Sequence, residues 1–138
     1  MYKMLFHAHS GLGSLLLINA LLLALVAIAA KVSPKAGLLK AARVMQVVDA
    51  ACVGTTLLVG IPLWSASPLP ASYAPLWVLM APLAVAMVIN SVFAKAAHKN
   101  VVAGDEASGS AWMGAQIVYG VLITAIFGGM HGLSVFVS

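Results

Sequence analysis

The stretch Leu15-Leu16-Leu17-Ile18-Asn19-Ala20-Leu21-Leu22-Leu23-Ala24-Leu25-Val26-Ala27-Ile28-Ala29-Ala30 decides the fold. It is apolar throughout except at Asn19. With the turns before it, it is long enough to cross a hydrocarbon core, which takes about 20 residues of helix. The chain as a whole is 63% hydrophobic and only 7% charged, where a water-soluble domain carries about 25% charged residues. This composition reads as an integral membrane protein with no water-soluble domain left over. The 138 residues fit a single membrane domain of four transmembrane helices, at about 5–30, 42–64, 75–97 and 111–135. The second could begin as early as Leu38. The expected fold is all-α, an integral membrane four-helix up-and-down bundle.

The connectors follow from the helix breakers. Pro34 and Gly37 interrupt the chain after Lys31, and Pro68 and Pro70 after Trp64. Pro82 lies within span three and is expected to kink it. Lys95 to Ser110 reads as the third loop. The N-terminus does not read as a cleavable signal peptide, because its apolar run is long enough to span and no small-residue cleavage site follows. The lone cysteine, Cys52, excludes an internal disulfide and reads as a small buried hydrophobe.

The net charge of +4 is not a nucleic-acid signal, because the basic residues cluster between apolar runs. Lys31, Lys35, Lys40 and Arg43 flank the first connector, and Lys95 and Lys99 the third. The positive-inside rule puts both connectors in the cytoplasm and both termini outside. Trp64, Tyr73 and Trp77, joined by Tyr2 and Phe6, would then form an aromatic belt at the outer interface.

This topology places three of the four histidines, His7, His9 and His131, at one depth on the outer side. His98 falls in the basic loop and is read as solvated. A histidine at the mouth of a membrane span marks a functional site by default. Residues three and four apart share a helix face, so His7 tops the stripe Gly11, Ser14, Ile18, and His131 tops Gly128, Thr124, Gly120. Two imidazoles above small residues suit haem b, with His7 and His131 as axial ligands, His9 in reserve, and Gly11 and Gly128 clearing room for the ring. The same stripes equally suit plain close packing of membrane helices. His7, His9, His131, Met4 and Met130 also form a soft nitrogen and sulfur set that copper(I) would accept. His-x-His puts its two rings about 200° apart on a helix, so one ion could take both only at a frayed end.

The opening Leu5-Phe6-His7-Ala8-His9-Ser10-Gly11-Leu12 resembles the start of a group of small bacterial four-helix membrane proteins. These carry a His-x-His-Ser-Gly-Leu motif and are described as cytochrome-b-like. The plan is also similar to that of the copper-resistance D type membrane proteins. The resemblance implies a haem or metal membrane protein, and only His7 and His9 carry over by position. An aromatic or Arg-Trp pair commonly follows the motif in that group, whereas Gly13-Ser14 stands here. Asp49 and Asn90 occupy spans in which that group has further histidines.

Asp49 is the acid inside an apolar run, and charge there is expensive. Gln46, Asn90, Gln116 and Asn19 fall in the same half of the membrane and could form one hydrogen-bonded cluster with it. Asp49 is therefore expected to be protonated or hydrogen-bonded to Gln46, Asn90 or Gln116. The cluster would serve as a proton path or a pocket for a quinone head group, or else lock the bundle. Asp105 and Glu106 read as solvated. No CxxC, P-loop or glycine-rich nucleotide loop is present, so no enzyme class is indicated.

The leading functional expectation is a haem b-binding protein with a role in electron transfer. The rivals are a copper-binding membrane protein and a non-catalytic small subunit of a larger respiratory or transport complex. The partners of such a chain are the lipid bilayer, a quinone, a larger membrane complex or a second copy.

In a background with Cys52 replaced by Ala, a membrane-impermeant thiol reagent added from outside should label Ser67→Cys and a C-terminal cysteine. It should not label Lys35→Cys or Lys99→Cys. Labelling of Lys35→Cys from outside would reverse the orientation.

Overall fold

The computed structural model of the chain describes residues 2–33, 35–66 and 74–137. These form four helices and no strand: α1 (Tyr2–Val32), α2 (Ala36–Ala66), α3 (Ala74–Val102) and α4 (Glu106–Val137). All four are long and apolar enough to cross a membrane. At about 1.5 Å of rise per residue, helices of 29 to 32 residues reach about 45 Å, well beyond the ~30 Å hydrocarbon core. Every helix therefore outruns the span read from hydropathy. Apolarity stops where the charged residues begin, but backbone hydrogen bonding does not.

The third connector shows this most clearly. Lys95, His98 and Lys99, expected in a loop, are helical, and only Ala103, Gly104 and Asp105 separate α3 from α4. Gly104 has φ 95°, a conformation glycine adopts without strain. Its N–H donates to the Val101 carbonyl at 3.0 Å, and that of Asp105 to the Asn100 carbonyl at 3.2 Å, which closes the end of α3 as a Schellman motif. Asp105 then starts α4, its carboxylate accepting from the Ser108 N–H at 3.2 Å and the Ser108 hydroxyl at 2.5 Å. The Ser108 hydroxyl, and after it the Ser108 amide, hold the Asp105 carboxyl below the ordinary carboxylate range. The cap therefore supports α4 at neutral pH and is lost as pH falls through that lowered value. Lys31 and Lys99 in the last turns of α1 and α3, and Glu106 in the first turn of α4, oppose the helix dipoles favourably. α2 continues through Pro62 and α3 through Pro82.

α1 packs against α2 and α4, and α3 against α4 and α2, the ring order of an up-and-down bundle. The core has two apolar clusters. One, near the chain termini, holds Leu16, Ala20, Cys52, Leu83, Met87 and Ile123. The other, near the basic residues, holds Leu23, Ala27, Ala42, Ala97, Trp112 and Met113. The outward faces are apolar too, with Leu25, Leu58, Ile89 and Val121 among the exposed side chains.

Among the described glycines, the tightest contact between two helices is at Gly120. A Cβ there would lie 2.6 Å from the Ala24 Cβ and 2.9 Å from the Ala20 carbonyl oxygen. Gly120→Ala should therefore destabilise the bundle by about 1–3 kcal/mol through overpacking. A Cβ on Gly11 or Gly128 would meet nothing within 4 Å, so those alanine variants should be neutral or stabilised by up to about 1 kcal/mol from helix propensity. Reversible unfolding in mixed detergent micelles measures all three.

Candidate functional site

Between the two apolar clusters lies a layer of buried polar side chains: Asn19 on α1, Gln46 and Asp49 on α2, Asn90 on α3, and Gln116 on α4. The sequence grouped these five residues, and the structure brings them to one level. That level is near the midpoints of the helices, slightly toward the basic end.

Their pairing differs from expectation. Asp49, only 2% exposed, accepts a hydrogen bond from the Tyr119 hydroxyl at 2.8 Å and a long one from the Asn19 amide at 3.4 Å. Asn19 also donates to the Met45 carbonyl at 3.0 Å. Asn90 and Gln116, expected as partners of Asp49, instead pair with each other through two reciprocal amide bonds of 3.0 and 3.1 Å. Each primary amide thereby donates one hydrogen bond and accepts one, which a carboxylate cannot do. Gln46, the third expected partner, has no hydrogen bond on its amide nitrogen or oxygen among the described residues.

Tyr119 is the residue that sequence reasoning missed, because tyrosines read as interfacial anchors. Its signal was present. Trp112, Gln116, Tyr119 and Ile123 recur at spacings of four, three and four, one face of a helix, and all four are buried. The His98 reading also needs correction. Its ring is half-buried and lies 5.6 Å from the Trp112 ring, tilted by 54°, because α3 runs past Ala97 and carries it onto α4. The buried Trp112 Nε1 has no acceptor among the described residues.

At the terminal end the two histidines of α1 part company. His7 is exposed, with its ring edge-on to Phe6 at 5.9 Å. Gly11, Ser14 and Ile18 below it are exposed as well, so the stripe proposed to line a cofactor gap turns away from the bundle. His9 is the inward one. It heads a seven-residue seam through Leu16, Leu23 and Ala30, all buried. Its ring lies against α2 at Gly60, where a Cβ would sit 3.0 Å from the imidazole Cε1 and 3.3 Å from Nδ1. Nδ1 is buried and has no hydrogen-bond partner among the described residues.

α4 brings His131 to the same level. Gly120 meets Ala20 and Ala24, and Gly13 meets Phe127, so the antiparallel register sets position 131 abreast of position 9. The side chain of His131 lies outside those described, as do those of Tyr2, Tyr73, Trp64 and Trp77, the expected aromatic belt. Met130 packs on the terminal apolar cluster, whereas Met4 is 70% exposed. His7 and Met4 thus turn outward and His9 and Met130 inward. No group of three or more His, Cys, Asp or Glu side chains gathers to hold a metal ion among the described residues. Gly128 is exposed and does not face a partner helix.

No protein-family model, curated protein or solved structure matches this chain.

Tyr119→Phe should lower stability by about 1–3 kcal/mol, because it strands a buried carboxyl oxygen. Replacing both partners, as Tyr119→Phe with Asp49→Leu, should recover most of that loss, since removing both halves of a buried pair is nearly neutral. A double-mutant cycle on thermal unfolding reads this directly. A neutral Tyr119→Phe would mean that the 2.8 Å contact carries no weight.

Proposed function

We propose that this chain binds haem b at the terminal end of its bundle and carries electrons in a bacterial inner membrane, with His9 rather than His7 as the α1 ligand. The observation that carries the reading is His9 itself. An imidazole turned to the bundle interior at the mouth of an apolar span marks a functional site by default, and with Nδ1 packed toward Gly60 the haem iron would be held by Nε2. Gly60 leaves the ring room that a side chain would fill. In the register of α1 against α4, position 131 stands at the depth of position 9, so His131 would be the second ligand. The cytochrome-b-like resemblance of the opening motif points the same way.

Haem held by two histidines supplies a one-electron iron couple, tuned by its ligands and their surroundings. The chain's part is to hold and orient the imidazoles and to exclude water with the apolar layer of Leu16, Leu83 and Ile123 beneath them. Lys31, Lys35, Lys40, Arg43, Lys95 and Lys99 all lie at the opposite end and Lys3 alone at this one. Under the positive-inside rule that puts the histidine end and both termini on the periplasmic side.

The visible absorption spectrum and metal content of the purified protein test this. Wild type should show a Soret band, His9→Ala and His131→Ala should lose it or turn high-spin, and His7→Ala and His98→Ala should keep it. Loss with His7→Ala but not His9→Ala would restore the outward histidine as ligand and sink this assignment. Stoichiometric copper without haem, lost in His9→Ala, would establish the copper reading. Neither cofactor would leave a non-catalytic subunit of a larger complex.

A further inference from the structure

A polar layer inside an apolar bundle is complete when every N–H and C=O in it meets a partner. Asn90 and Gln116 each have a partner on both the nitrogen and the oxygen of the amide. Gln46 does not. It is 4% exposed, and neither atom of its amide is hydrogen-bonded to a described residue. It stands three residues before Asp49 on the inward face of α2, within reach of that carboxyl group.

Among the described residues, the buried polar groups that share the layer with Asp49 carry no charge. α1 brings Asn19, α3 brings Asn90, α4 brings Gln116 and Tyr119, and α2 itself brings Gln46 and Cys52. The nearest cation along α2, Arg43, is six residues away, about 9 Å along the axis. The two hydrogen bonds to Asp49 leave each of its oxygens with capacity for another.

We propose that Asp49 and Gln46 form a proton-binding site at the middle of the bundle, in which Gln46 holds a water molecule against the carboxyl group and that water is the proton's route on and off. The amide nitrogen donates to the water oxygen and the amide oxygen accepts one water hydrogen, so both unmet atoms of Gln46 are answered by one molecule. Uptake converts the carboxylate and a hydronium ion into a carboxylic acid and water. Release is the reverse, and no electrons move. The Tyr119 hydroxyl serves both forms, donating to the carboxylate and accepting from the acid. The inference rests on the mid-bundle layer and not on the haem reading.

Infrared spectra of the protein in phosphatidylethanolamine–phosphatidylglycerol vesicles, in water and after transfer to D2O, test it. The C=O stretch of a protonated carboxyl should be present in wild type and absent in Asp49→Asn. In D2O it should shift while the helix amides stay protected. Gln46→Met, which keeps the volume and loses the amide, should slow that shift about tenfold, the factor expected from one lost hydrogen-bonding partner. If that variant does not fold by circular dichroism, the wild-type exchange still decides. A carboxyl band that exchanges no faster than the helix amides overturns the proposal. So does a band seen only once sodium is removed, which would make the ligand a metal cation, and so does a folded Gln46→Met variant with the wild-type rate.

Discussion

A carboxyl group in the middle of an apolar bundle must be met by donors before the helices can close around it. Here the donors come from two other helices. Asn19 reaches from the neighbouring α1, and Tyr119 reaches across the bundle from α4, which lies diagonal to α2 in the ring. That diagonal bond fixes the height of α4 against α2. A slide of one turn, about 5.4 Å, would part the Tyr119 hydroxyl from Asp49 and break the Asn90–Gln116 pair with it. The apolar clusters on either side of the layer tolerate such a slide far better, since one aliphatic contact resembles another. Register in this bundle is therefore set by its few polar residues and not by its many apolar ones.

The same contrast explains how the helices associate. In a bilayer the hydrophobic effect does not drive helices together, because lipid tails are as apolar as leucine. Exposed Leu25, Leu58 and Val121 are content facing lipid. Association then falls to close van der Waals approach, which Gly120 permits against Ala20 and Ala24, and to interhelical hydrogen bonds. Both act on α4, which makes it the helix that ties the others into one body.

Much of this was legible in the sequence. The number of spans follows from four apolar runs and the proline-rich or charged stretches between them. The helix ends do not, because hydropathy reports where lipid contact stops and not where the backbone ladder does. The Schellman turn at Gly104 is what ends α3. Asp49 and its four polar companions stood out against apolar neighbours, and depth alone brought them to one level. Their pairing could not be read from depth. It depends on which amide can be answered by which group, and Tyr119, which carried no reading of its own, was left out of the choice. At the histidine end, the 200° between His7 and His9 was plain, but which one faced inward needed the seam counted back from Leu23 through Leu16. Choosing by the glycines below each histidine favoured His7, whose glycine stripe faces outward.

The pattern of hydrogen bonds also divides the molecule along its length. Asn19 answers Asp49 and Met45 within the α1–α2 hairpin, and Asn90 answers Gln116 within the α3–α4 hairpin. Each hairpin can therefore enter the bilayer with most of its polar groups already satisfied, by contacts between helices adjacent in sequence. Among the side-chain bonds of the described residues, the Tyr119–Asp49 bond is the one that must wait for the hairpins to meet. The order of assembly is thus written into the bonds: two local pairs first, then the long-range Tyr119–Asp49 bond between the hairpins.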